Sequence, residues 1–106
     1  MINGCEVNVA LEGDAAAALG PIAAELEKLG YKPKSQEPNE LTMSFAGKWI
    51  TSDPSAMRHT VTVAPTDGQL SFKFGTGWLA STWSESDIAW AQARADSVVA
   101  AARASL

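Results

Sequence analysis

His59 is the only imidazole in the chain. Nucleophilic catalysis of the Ser-His-Asp kind needs a hydroxyl held against a His, with an acid orienting the ring. Ser is common here, and Asp occurs at five places along the chain. No Ser, however, stands in the Gly-flanked strand-to-helix turn that exposes a nucleophile. His59 falls at the start of an alternating segment, on its apolar side. It is therefore expected to be a hydrogen-bonded structural ring, with a general base in a cleft as the sharper option. A metal would need carboxylates converging on His59. Asp53 is the nearest in sequence, in turn-forming Asp53-Pro54-Ser55, and no residues show ligand-like spacing. We expect no metal. Gly75-Thr76-Gly77 follows a strand, but Trp78 and Leu79 separate it from the next helix. A phosphate cradle places its glycines directly at a helix N-terminus. We expect no cofactor. Cys5 stands alone, so it supplies neither a disulfide nor a Cys-rich zinc site. It reads as a small hydrophobe on a strand.

The four Trp carry more information. Trp49 ends a strand on its apolar side. Trp83 precedes a helix and can staple to Ile88. Trp78 lies in a Gly-flanked loop, where an exposed ring would serve a partner or a lid. Trp90 sits about 130° from the centre of its helix's apolar arc, by the helical period. Arg94 is its i+4 neighbour. One reading makes Trp90 local cover over the Arg94 stem. The other makes it the mark of a protein–protein surface, because Trp is enriched at binding hot spots. The candidate binding residues are Trp90, Trp78, Arg94, His59 and Arg58; no catalytic residue is assigned.

The elements that must position these residues follow from periodicity. Cys5, Val7, Val9 and Leu11 alternate with Glu6, Asn8, Ala10 and Glu12, which predicts a half-buried strand. Asp14 can cap the helix that follows. Leu19, Ile22, Leu26 and Leu29 form one apolar stripe over 15–29. Gly20-Pro21 interrupts it, as a kink or a split, and Gly30 stops it. Residues 31–39 read as a polar connection. Leu41, Met43, Phe45, Gly47 and Trp49 mark a second strand. His59, Val61 and Val63 mark a third, and Leu70, Phe72 and Phe74 a fourth. Pro65-Thr66-Asp67-Gly68 joins the last two as a tight hairpin. Ser84 and Asp87 have capping-box spacing at the start of a helix from 85 to about 104. Ile88, Ala91, Ala95, Val98, Val99 and Ala102 form its apolar arc.

The predicted fold is α+β, a two-layer sandwich of order β-α-β-β-β-α. A four-stranded mixed sheet carries two helices on one face, with the first crossover making the first two strands parallel. Residues 1–106 read as one small domain.

Composition narrows the function classes. The apolar fraction is 46% of 106 residues, but 19 of those residues are Ala. Leu, Ile, Val and Phe together number 21, near the lower limit for building a core, so the Trp residues matter to packing. The net charge is −4. The only cation cluster, Lys28, Lys32 and Lys34, is surrounded by Glu25, Glu27 and Glu37. A nucleic-acid partner is not expected. No apolar run reaches membrane-span length, and Met1–Glu6 lacks a signal-peptide layout, so a soluble cytoplasmic protein is expected. The last helix reaches Leu106 without a stop signal, which leaves a piece of a longer protein as a further reading.

Two functions remain. The first is a non-catalytic interaction module with a protein partner or self-association, using Trp90 and the edges and polar face of an open sheet. The alternative is a small apolar-ligand-binding protein or simple enzyme. Its cavity would lie between sheet and helices, lined by Phe45, Trp49, Phe72, Phe74 and Trp78, with His59, Arg58 or Asp53 at the mouth.

Overall fold

The computed structural model describes residues 4–11, 13–48, 56–75 and 83–104. Its elements are β1 (Gly4–Ala10), a 3-10 turn (Ala16–Ala18), α1 (Leu19–Lys28), β2 (Tyr31–Glu37), β3 (Glu40–Phe45), β4 (His59–Thr66), β5 (Gln69–Gly75) and α2 (Glu85–Arg103). The fold is α+β, with two helices and one antiparallel sheet. Trp49, Asp53, Thr76, Gly77, Trp78 and Leu79 lie outside the described residues, so their expected roles do too.

Three features of the expected topology are corrected. The sheet has five strands, not four, and the order is β-α-β-β-β-β-α. The sheet is wholly antiparallel rather than mixed, in the order β1-β5-β4-β3-β2. The α1 crossover does not make sequential strands neighbours, because β1 and β2 occupy opposite edges. The missed strand is β2, read above as a polar connection. Only Tyr31 of its residues is buried, and Lys32–Glu37 are all exposed. An edge strand wet on both sides shows no period-two hydrophobic signal. Its Lys residues and Pro33 are instead the marks of a guarded edge.

The strands meet by tight turns where the sequence supplies the chemistry. Asp67-Gly68 joins β4 to β5, with Gly68 at φ +74°. Pro38-Asn39 joins β2 to β3. Residues Val7 and Val9 of β1, Leu41 and Met43 of β3, Val61 and Val63 of β4, and Leu70, Phe72 and Phe74 of β5 are all buried. The helices pack on this face. Leu19, Ile22 and Leu26 of α1 are buried, as are Ala91, Ala95, Val98, Val99 and Ala102 of α2. α1 lies against β2 and β3, α2 against β1, and the helices touch each other. Ala at the α2 contact brings the helix axis close to its neighbours and loses little side-chain entropy.

Of the two readings of Gly20-Pro21, the split comes nearer: a short turn precedes the helix, but α1 begins at Leu19 rather than at Pro21. The 3-10 turn runs directly into α1, and Pro21 is the third residue of that helix. First-turn N–H groups have no intrahelical acceptor, so Pro removes no helical bond there. Asp14 Oδ1 accepts from the amides of Ala16 and Ala17 at 3.1 and 3.4 Å, capping the 3-10 turn. Gly30 ends the α1 region at φ +99°.

Both free edges of the sheet are occupied or blunted. Along β1, Gln92 Nε2 donates to the Asn8 carbonyl at 3.2 Å, and the Arg103 guanidinium donates to the Ala10 carbonyl. Along β2, the register shifts between Pro33 and Ser35. Such bulges, with Lys and Pro, oppose pairing with another strand. The sheet face away from the helices is polar. Ser71 Oγ donates to Glu6 at 2.6 Å, and the hydroxyls of Thr42 and Thr62 lie 3.3 Å apart.

Candidate functional site

Antiparallel order brings the start of β2, the end of β3, the start of β4 and the end of β5 to one end of the sheet. The register then aligns specific rings there. Tyr31 pairs with Phe45, and Phe45 with His59, across three adjacent strands. All three side chains fall on the helix-facing side. Their ring centroids are mutually 5.3 Å apart, so Tyr31 and His59 lean together over the intervening strand. Phe74 of β5 adds a ring 5.9 Å from His59.

The start of α2 closes this end. Its capping box is complete: Ser84 Oγ accepts from the Asp87 amide at 3.2 Å, and Asp87 Oδ2 accepts from the Ser84 amide at 2.9 Å. A Ser cap of this type is worth about 1 kcal/mol. It fixes where the helix begins and thus where Trp83 and Trp90 point. Trp83 is buried against Phe74, at 6.1 Å between centroids. Trp90 is half-buried. Its ring stands edge-on to His59 at 5.6 Å and 90°, and 5.8 Å from Phe74. The Arg94 guanidinium carbon lies 5.1 Å from the Trp90 ring centroid.

Trp90 thus carries the Arg94 guanidinium on its ring and packs against the core. The helical period places it well off the apolar arc, but an indole is long enough to reach the sheet from the flank of a helix. Ile88, expected in the arc, is 40% exposed instead.

Hydrogen bonds settle the state of the polar pair. His59 Nδ1 is 2.7 Å from the Met57 carbonyl, and Nε2 is 2.6 Å from Tyr31 Oη. A carbonyl only accepts, so Nδ1 carries the proton. In the neutral ring Nε2 then accepts, and the Tyr31 hydroxyl donates to it. The electrostatics agree. Burial disfavours the imidazolium and lowers the His59 pKa; the Met57 bond opposes this, and the positive charge of Arg94 adds to it. Burial pushes the Tyr31 phenol up to about 12, with Arg94 acting in the opposite direction.

This arrangement is a neutral, internally paired anchor rather than an acid–base couple. Nε2, the nitrogen a general base would use, is engaged by Tyr31. Gly47 supports the anchor from behind. A Cβ there would lie 2.3 Å from the Ala56 carbonyl oxygen and 2.7 Å from the Met57 carbonyl carbon, so the chain approaches the Met57 peptide as only glycine can.

Of the residues singled out from sequence, His59, Trp90 and Arg94 come together here. Arg58 is exposed, with its amide donating to the Lys48 carbonyl at 3.0 Å. Tyr31, the chain's only tyrosine, was not anticipated as a site residue. Its position immediately after the helix-stopping Gly30 was the available signal. Cys5 is half-buried, and burial followed by the nearby Asp87 charge raises its pKa, which makes the thiol a poor nucleophile. No group of three or more His, Cys, Asp or Glu suited to a metal occurs among the described residues. Nor is any helix among them long and apolar enough to cross a membrane. No family model matches the chain, and no curated protein matches it in sequence.

Proposed function

We propose that this protein binds a small, largely apolar molecule at the aromatic end of the layer between the sheet and α2. The observation that carries this reading is the composition of that end. Rings from two strands and one helix, Phe45, Phe74 and Trp90, surround a buried polar pair, Tyr31 and His59. Ligand sites combine apolar, aromatic walls with a few fixed polar groups in the same way. The anchor is neutral, so it favours binding and orientation over proton transfer.

The interaction-module reading rests on Trp90 and on the edges and polar face of the sheet, of which the polar face remains available to a partner. Trp90 turns its ring to His59, and the edges carry side-chain caps or a bulge. Ligand binding is the better supported of the two.

The test is a thermal-shift and tryptophan-fluorescence titration with bicyclic aromatic probes, neutral and charged. We expect saturable binding that Trp90→Ala weakens. Absence of binding by every probe, with a monodisperse complex of two or more chains, would replace this reading with the interaction module.

A further inference from the structure

Among the described residues, two donors beside this cluster, the Trp83 indole N–H and the Arg94 guanidinium, lack acceptors. Trp83 is 6% exposed, and its indole Nε1–H is buried with no hydrogen-bond partner. A buried donor left unpaired is destabilising, so an acceptor placed there would be bound favourably. Arg94 has no carboxylate within ion-pair distance among the described residues; its neighbour is the Trp90 ring. The two are linked through one aromatic chain, since Trp83 and Trp90 lie 6.4 Å apart and Arg94 lies over Trp90. The Arg94 charge also reaches both Tyr31 and His59. By contrast, Tyr31 and His59 satisfy each other. The unmet capacity at this end is therefore for acceptors, and it is positively charged.

From this we infer that the ligand is an aromatic or apolar carboxylic acid, with its carboxylate on Arg94 and its body against Trp90 and Trp83. The inference rests on the ligand-binding reading above and adds the chemical class. Arg offers a planar fork of N–H donors matched to a carboxylate. Trp83 Nε1–H supplies a further donor, which a carboxylate oxygen of the ligand would satisfy. A neutral ligand would leave Arg94 without a counter-charge.

The experiment compares naphthalene-1-carboxylate with naphthalene-1-carboxamide, which have nearly the same shape. Binding to the full chain is measured by calorimetry, while the indole N–H resonances are followed by NMR. The expected result is at least tenfold tighter binding of the carboxylate, equivalent to about 1.4 kcal/mol. The Trp83 indole resonance should move on binding. Arg94→Met should bring the carboxylate to the level of the carboxamide. The comparison of the two probes on the unmodified chain stands even where that variant fails to fold. Equal affinity for both probes overturns the acid inference and leaves ligand binding intact. A carboxylate preference with an unmoved Trp83 resonance, or one that persists in Arg94→Met, also overturns it. Binding of neither probe counts against both readings.

Discussion

The Tyr31 hydroxyl donates to His59 Nε2 at 2.6 Å, from a strand that is not hydrogen-bonded to the one carrying His59. β3 lies between them, and the two side chains meet above it. This one bond ties the β2 edge to the interior of the sheet. Tyr31→Phe leaves a buried nitrogen without its donor, which should cost about 1–3 kcal/mol. His59→Phe should cost a similar amount through Tyr31. The double replacement should cost less than the sum, because no orphan then remains. Urea denaturation of the four proteins gives the coupling energy; strict additivity would mean the bond adds nothing to stability.

Acid should destabilise the fold through His59. Its folded-state pKa lies below the ordinary 6.5, so between those values the unfolded chain binds more protons. Stability then rises with pH through that window and is fully present above about pH 6.5. Tyr31 acts at the other end. Its pKa rises from 10.0 unfolded to about 12 folded, so stability falls as pH climbs from 10 to 12. Melting temperature against pH should show both arms. His59→Gln should flatten the acid arm and Tyr31→Phe the alkaline one.

Gly47→Ala should act on His59 without touching it. The added Cβ would force the Ala56–Met57 backbone to shift. That backbone supplies the carbonyl holding His59 Nδ1. We expect a destabilisation of roughly 2–4 kcal/mol, in the range of strong packing clashes. The ring nitrogens of His59 should also lose their single-tautomer NMR pattern. Unchanged nitrogen shifts in a destabilised variant would separate the glycine from the ring.

Removing the guards on β1 should alter association. Gln92→Ala with Arg103→Ala frees the carbonyls of Asn8 and Ala10 at the sheet edge. An exposed edge is a template for strand pairing between chains. Light scattering after chromatography should show dimers or larger species in the double variant that the parent lacks at the same concentration. An identical profile would mean that these bonds do not protect the edge.

Some elements declare themselves locally and were legible. The β4–β5 hairpin combines strict alternation with Asp67-Gly68, and the α2 start carries a reciprocal cap between residues three apart. β2 was illegible because burial touches only Tyr31, leaving its alternation without contrast. The sheet order was illegible for a related reason. Counting four strands places β1 beside the wrong partner, and a polar edge strand gives no warning that one has been missed. At the candidate site, His59, Trp90 and Arg94 stood out by type. Their convergence did not, because it needs the flank of α2 that carries Trp90 to pack onto the place His59 takes at the start of β4. Trp90 shows the limit of helical wheels, which place Cβ directions and ignore how far an indole extends.

The pairing of β1 with β5 has a consequence for synthesis. Val7 lies opposite Phe72, so β1 waits for β5. At roughly 5–20 residues per second, about 3–13 s separate the emergence of those two residues from the ribosome. The β2–β5 meander, closed by short turns, can assemble in that interval. The N-terminal strand joins a nearly finished sheet, and until then its apolar side has no permanent neighbour. Chaperone demand during translation should therefore centre on the first dozen residues.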